Sequence, residues 1–127
     1  MSTKEAVMTT KEVASRFNEL AQLGQFDKVQ EELYAEKAVS IEPEHAAAMG
    51  MSNAEGLDAI RKKGEAFNQI VEEMHGGYST EPVIAGNFFT LAMGMDVTMK
   101  GMGRSKIDEI AVYEVKDGKI VKEQFFF

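Results

Sequence analysis

Two glutamates stand where a half-buried strand would place apolar side chains. In the stretch 107–127, IDEIAVYEVKDGKIVKEQFFF, Glu109 shares the parity of Ala111, Tyr113 and Val115, and Glu123 that of Phe125 and Phe127. Carboxyls on such a face either exchange protons with a bound molecule or sit at strand ends, solvated or paired with Arg104, Lys106 or Lys122. The two histidines both follow acids, His75 after Glu73 and His45 after Glu44, and imidazole suits proton transfer near neutral pH. His75 is the better placed for a pocket, although the adjoining Gly76-Gly77 equally suits a bulge or a solvated turn. Asp96 interrupts a run whose other parity is Leu91, Met93, Met95, Val97 and Met99. Facing inward it joins Glu109 as a polar floor; facing outward it is a solvent or interface residue.

Other chemistries lack their residues. A metal site built from Glu42, Glu44, His45 and His75 has no HExxH or comparable spacing, so no metal is expected. Cysteine is absent, which removes disulfides and thiol nucleophiles and is compatible with a reducing compartment. No glycine-rich phosphate loop, Ser-His-Asp order or aromatic-plus-basic stripe appears, and no cofactor is expected. With 14 basic against 21 acidic residues the net charge is -7, which disfavours nucleic acid and anionic membranes as partners. The N-terminal MSTKEAVMTTKEV lacks the apolar core of a signal peptide, and no run of apolar residues is long enough to span a bilayer, so a soluble, cytoplasmic protein is expected. Nine methionines suit irregular core filling or an adaptable pocket.

The elements that must carry these side chains follow from periodicity. Thr9 and Glu12 have capping-box spacing, and Val13, Phe17, Leu20 and Ala21 recur at helical intervals as far as Gly24. Asp27 with Gln30 opens a short second helix through Val29 and Leu33, with Tyr34 at its end. Residues 38–43 alternate as a short strand halted by Pro43, and 45–53 read as a loop across a cavity mouth. Ser52 with Glu55 caps a third helix bearing Leu57, Ile60, Gly64, Phe67 and Ile70 on one face. Four strands complete the chain, near 74–84, 88–99, 105–115 and 119–127, the last two joined by a hairpin at Asp117-Gly118. Helices segregated from a strand meander predict an α+β layer, three helices packed on a curved, mostly antiparallel sheet, in one domain spanning 1–127. Strand 105–115 is apolar on both parities, which predicts a homodimer through the outer sheet face.

Taken in order, Gly24-Gln25-Phe26-Asp27, Val39-Ser40-Ile41-Glu42-Pro43, Glu55-Gly56-Leu57-Asp58-Ala59-Ile60 and Val115-Lys116-Asp117-Gly118-Lys119-Ile120-Val121 resemble the SnoaL-like branch of the NTF2-like superfamily, the cystatin-like cone. The resemblance implies a deep pocket between helices and sheet, in a fold that hosts isomerases, cyclases, dehydratases and plain binders. In the ketosteroid isomerases of this superfamily a carboxylate base works against an oxyanion hole made by a tyrosine and a protonated aspartic acid. By position, the tyrosine falls on Phe17, the base on Glu42 before Pro43, and the oxyanion acid on Ala111. Two of three roles are therefore missing, and loss of even one oxyanion donor costs about 10²–10³ in rate. The resemblance brings Glu42, Glu109 and Glu123 toward one cavity, where crowded carboxylates cannot all ionise. His75 resembles the histidine partner of the superfamily's dehydratases, whereas Arg16, Arg61 and Arg104 do not reproduce the Asp-Arg-Asp set of its epoxide hydrolases. Glu42, His75 and Glu109 are accordingly the catalytic candidates, with Phe17, Asp96, Ala111, Tyr113, Glu123 and Phe125 lining the pocket. The expected ligand is small and apolar or aromatic; a lyase, isomerase or cyclase and a non-catalytic binding or dimerisation module both remain open.

Overall fold

The computed structural model describes residues 7–127. Helix α1, Thr10–Gln22, begins at the expected box: Thr9 Oγ1 accepts from the Glu12 amide at 3.1 Å and Glu12 accepts from the Thr9 amide at 2.9 Å. It buries Val13, Ala14, Phe17, Leu20 and Ala21. Helix α2, Phe26–Leu33, is capped by Gln25 without a side-chain bond, and Asp27 lies instead in its first turn, where its charge complements the helix dipole. Arg16 ties the two helices together through both carboxylate oxygens of Glu32, at 2.8 Å each.

Tyr34 caps that helix, its amide donating to the Gln30 carbonyl, and belongs to the next element as well. Its backbone is extended, and it opens strand β1, Tyr34–Ile41, four residues before the expected start. A 3-10 turn, Glu44–Met49, takes up the first half of the expected loop, and strand β2, Ala54–Glu55, follows the loop's end. Helix α3, Leu57–Ile70, starts from Gly56 at φ 90°, because Ser52 is separated from it by β2. The chain then passes directly into β3, Val71–Ser79. The expected strand 74–84 is broken after Ser79, where Thr80 still pairs with Ala92 but Pro82, with no N–H, cannot continue the ladder; β4 is only Val83–Ala85.

Strands β5 (Phe88–Met99), β6 (Gly103–Lys116) and β7 (Lys119–Phe126) form the meander. The sheet order is β2-β1-β7-β6-β5-β3, with β4 also on β5, and every pairing is antiparallel except β1 with β7. Asp117 (φ 51°) and Gly118 (φ 75°) turn the hairpin with two positive φ angles, the arrangement that matches strand twist. A Cβ on Gly118 would also meet Val7 at 2.8 Å.

One face of this sheet meets the helices. Phe89, Leu91, Ala111, Tyr113, Val115 and Ile120 pack there against α1 and α2. Phe17 touches Phe89 edge-on at 5.4 Å and Tyr113 at 4.8 Å, and Phe89 stacks on Tyr113 at 4.9 Å. On β7 an irregularity opposite Glu114 and Val115 changes the inward parity from Ile120 to Glu123. Phe89→Ala empties the centre of the aromatic cluster and is expected to cost about 3–5 kcal/mol in urea unfolding. Leu23→Ala, exposed just past the end of α1, should change stability by less than about 1 kcal/mol.

Candidate active site

Between α2, α3 and the sheet lies a cavity of about 740 Å³ that continues inward into a chamber of about 170 Å³. Glu42, Glu109 and Phe125 are walls of both. Phe26, Phe67 and Phe127 make the outer part aromatic, and Phe17, Tyr34 and Tyr113 line the inner end. His45, exposed on the 3-10 turn, stands edge-on against Phe127 at 5.1 Å.

The polar core of this site is a chain of hydrogen bonds. Parallel pairing of β1 and β7 sets Ser40 opposite Glu123, so the Ser40 hydroxyl donates to Glu123 Oε2 at 2.7 Å. The Tyr34 hydroxyl donates to Oε1, which leaves both Glu123 oxygens engaged. Lys63, at the middle of α3, donates to Ser40 Oγ at 2.5 Å and to Glu42 Oε2 at 2.8 Å. The Lys63 and Glu42 side chains are 9% and 3% exposed, so this ion pair is withdrawn from water. Glu42 follows the last residue of β1, and its amide donates to Asn53 Oδ1 at 2.8 Å, which fixes the backbone that carries the carboxylate.

Glu109 completes the group from β6, opposite Met93 on β5. Its carboxyl takes part in no hydrogen bond among the described residues. Burial is the main cause that pushes it up to about 7; the charges of Glu42 and Glu123 add to the shift, and Lys63 opposes it. Burial also raises Glu123, against the hydrogen bonds from Ser40 and Tyr34 and the charge of Lys63. The phenols of Tyr34 and Tyr113 are raised well above their ordinary value, again chiefly by burial and then by Glu123. Both tyrosines therefore keep their protons and serve as donors or neutral walls.

The structure brings Glu42, Glu109, Glu123, Phe17, Tyr113 and Phe125 to this cavity. It does not bring three other candidates. Asp96 faces the outer side of the sheet, since Phe89, Leu91, Val97 and Met99 use the opposite parity of β5 for the core; Arg104 holds it in a two-pronged pair at 3.0 and 2.9 Å. His75 is on that outer side too, because the register of β3 shifts between Met74 and Gly76, and its Nε2 lies 2.7 Å from Thr98 Oγ1. Ala111 is fully buried in the core between its cross-strand neighbours Leu91 and Phe125, too small to reach the cavity wall.

Lys63, Ser40 and Tyr34 escaped sequence reasoning. Lys63 lies three residues after Ile60 and four before Phe67, so a lysine on the apolar stripe of α3 was the available signal. Ser40 shares the parity of Ala38 and Glu42, and Tyr34 was hidden by its place at the end of a helical pattern.

Comparison with known proteins agrees with this architecture. A protein of Mesorhizobium loti classed as a SnoaL-like polyketide cyclase, and also as a carbohydrate phosphatase, is 34% identical and superposes with a TM-score of 0.86, over 94% of this chain and 100% of that one. An NTF2-like protein of unknown function from Burkholderia pseudomallei (TM-score 0.74, 16% identity, 94% and 92% covered) shares the fold. So does TerC, co-crystallized with polyporic acid (TM-score 0.73, 14% identity, 93% and 90% covered). No functionally curated protein matches significantly. The model of the SnoaL-like domain matches residues 8–127, and with that the chain belongs to the SnoaL-like family.

Proposed function

We propose that the protein is a lyase, isomerase or cyclase that moves a proton on a small apolar or aromatic substrate, with Glu109 as the exchanging group. One observation carries this: Glu109 is a wall of both chambers, free of hydrogen bonds among the described residues, and burial with neighbouring charge pushes it up to about 7. A carboxyl poised there is ionised often enough to take a proton and protonated often enough to return one. Glu42 and Glu123 are less suited to that work, because the first is paired with Lys63 and both oxygens of the second are engaged. The aromatic walls favour an apolar ring, and the cyclase designation of the Mesorhizobium loti relative supports the same class of chemistry.

The outer sheet face takes part as a contact with a second copy of the chain. Ile110 and Phe126 are cross-strand neighbours there, 46% and 50% exposed, with Phe88 on the same side. Sedimentation at micromolar concentration should show a dimer, converted to monomer by Ile110→Glu; a wild type that sediments only as monomer contradicts the contact.

Proton exchange itself is directly observable. In D2O, the protein should accelerate deuterium uptake at the carbon next to the carbonyl of an aromatic ketone such as 2-tetralone, followed by proton NMR. Because the ionised carboxylate is the base, the rate should rise with pH through about 7 and then level off. Glu109→Gln should lose about 10²–10⁴ of the acceleration. Full activity in that variant would remove Glu109 from the reaction.

A further inference from the structure

We infer that Lys63 is the group that holds the substrate's carbonyl oxygen and receives the negative charge that forms on it. The inference rests on the proton-transfer role of Glu109 and assigns the other half of the same reaction. Phe17 has no hydroxyl and Ala111 no acid, and the Tyr34 proton is taken by Glu123; of the donors left on the inner chamber, Lys63 and the Tyr113 hydroxyl, only Lys63 carries the positive charge that a forming oxyanion needs.

An ammonium has three N–H donors. Lys63 Nζ gives one to Ser40 Oγ and one to Glu42 Oε2, and no third acceptor is bound among the described residues. The side chain lines the inner chamber with Glu109, and Nζ stands 5.9 Å from the centre of the Phe125 ring. Its position is fixed from both sides, by Glu42 on one and by Ser40, itself held by Glu123, on the other. A donor oriented in advance costs no reorganisation when charge develops, and in a site shielded from water it is worth more than the same contact in solvent.

Charge accounting selects the substrate class. Lys63 is already paired with Glu42, and ionised Glu109 adds a negative charge beside it, so a pre-formed anion is a poor ligand and a neutral ketone a good one. In the step, Glu109 carboxylate removes a proton from the carbon next to the carbonyl. The C–H electron pair becomes a carbon–carbon π bond, and the carbonyl π pair moves onto oxygen as an enolate beside Lys63. The proton now rests on Glu109, and its return to the same or another carbon restores the carboxylate. Negative charge has moved from Glu109 to the substrate, so the net charge of the chamber is unchanged, and no oxidant or reductant is needed.

The test uses 2-tetralone with wild type, Lys63→Met, Lys63→Arg and Glu109→Gln. Two readouts are compared: deuterium uptake, and the infrared carbonyl stretch of the bound ketone, which a hydrogen bond from an ammonium lowers. Lys63→Met should lose about 10²–10³ of the exchange rate and return the stretch toward its value in an apolar solvent, while Lys63→Arg keeps part of both. Thermal unfolding of each variant shows whether the fold is kept; if Lys63→Met does not fold, the wild-type and Lys63→Arg stretches decide. An unshifted stretch in wild type, or exchange that survives Lys63→Met but not Glu109→Gln, overturns the role of Lys63 and leaves Glu109 as the base. Exchange absent from wild type overturns both.

Discussion

Everything at this site depends on the burial of more negative than positive charge. Glu42, Glu109 and Glu123 converge on one lysine, and removing an unpaired carboxylate from water is far more costly than removing a paired one. The protein meets that cost unevenly. Glu42 receives the ammonium, Glu123 receives two hydroxyl donors, and Glu109 receives neither. The remaining imbalance falls on Glu109, which holds a proton at a pH where an ordinary glutamate does not. An acid of this kind follows from the distribution of donors and needs no special residue at position 109.

The scaffold is arranged to keep that distribution in place. Parallel pairing of β1 with β7 is the exception in an otherwise antiparallel sheet, and it is this pairing that sets Ser40 against Glu123. The shift of parity on β7 turns Glu123 inward after Ile120. Helix α3 brings Lys63 onto Ser40 and Glu42 at the end of β1, and Asn53 fixes the backbone at Glu42. The aromatic cluster of Phe17, Phe89 and Tyr113 backs the inner chamber, which Phe17 and Tyr113 line. Each feature is local and simple, but the buried charge cluster forms only when all of them meet.

How much of this is legible in the sequence depends on whether a feature is local. The capping box at Thr9, the hairpin at Asp117-Gly118 and the parities of Glu109 and Glu123 are properties of neighbouring residues, and periodicity finds them. The family resemblance, which rests on the order of such local motifs, gave the right fold for the same reason. Asp96 is ambiguous because Phe88 and Ala92 make its own parity partly apolar, and His75 because Gly76-Gly77 signals a bulge without saying which side the histidine then takes; the register shift in β3 puts it outside. Lys63 was missed for the opposite reason: its partners Ser40 and Glu42 lie 23 and 21 residues away in the chain. A lysine on an apolar helical stripe ordinarily extends its amine to solvent, and only the tertiary structure shows that here it does not.

The ionisation of Glu109 is the quantity from which the rest of the account follows. Carbon-13 NMR of the side-chain carboxyls, with the Glu109 signal assigned by its loss in Glu109→Gln, measures it without a substrate. A midpoint at about 7, moving down when Glu42→Gln removes one of the neighbouring charges, is the predicted result. A midpoint at the ordinary 4.5 would show that Glu109 is solvated, and would contradict the account at its base.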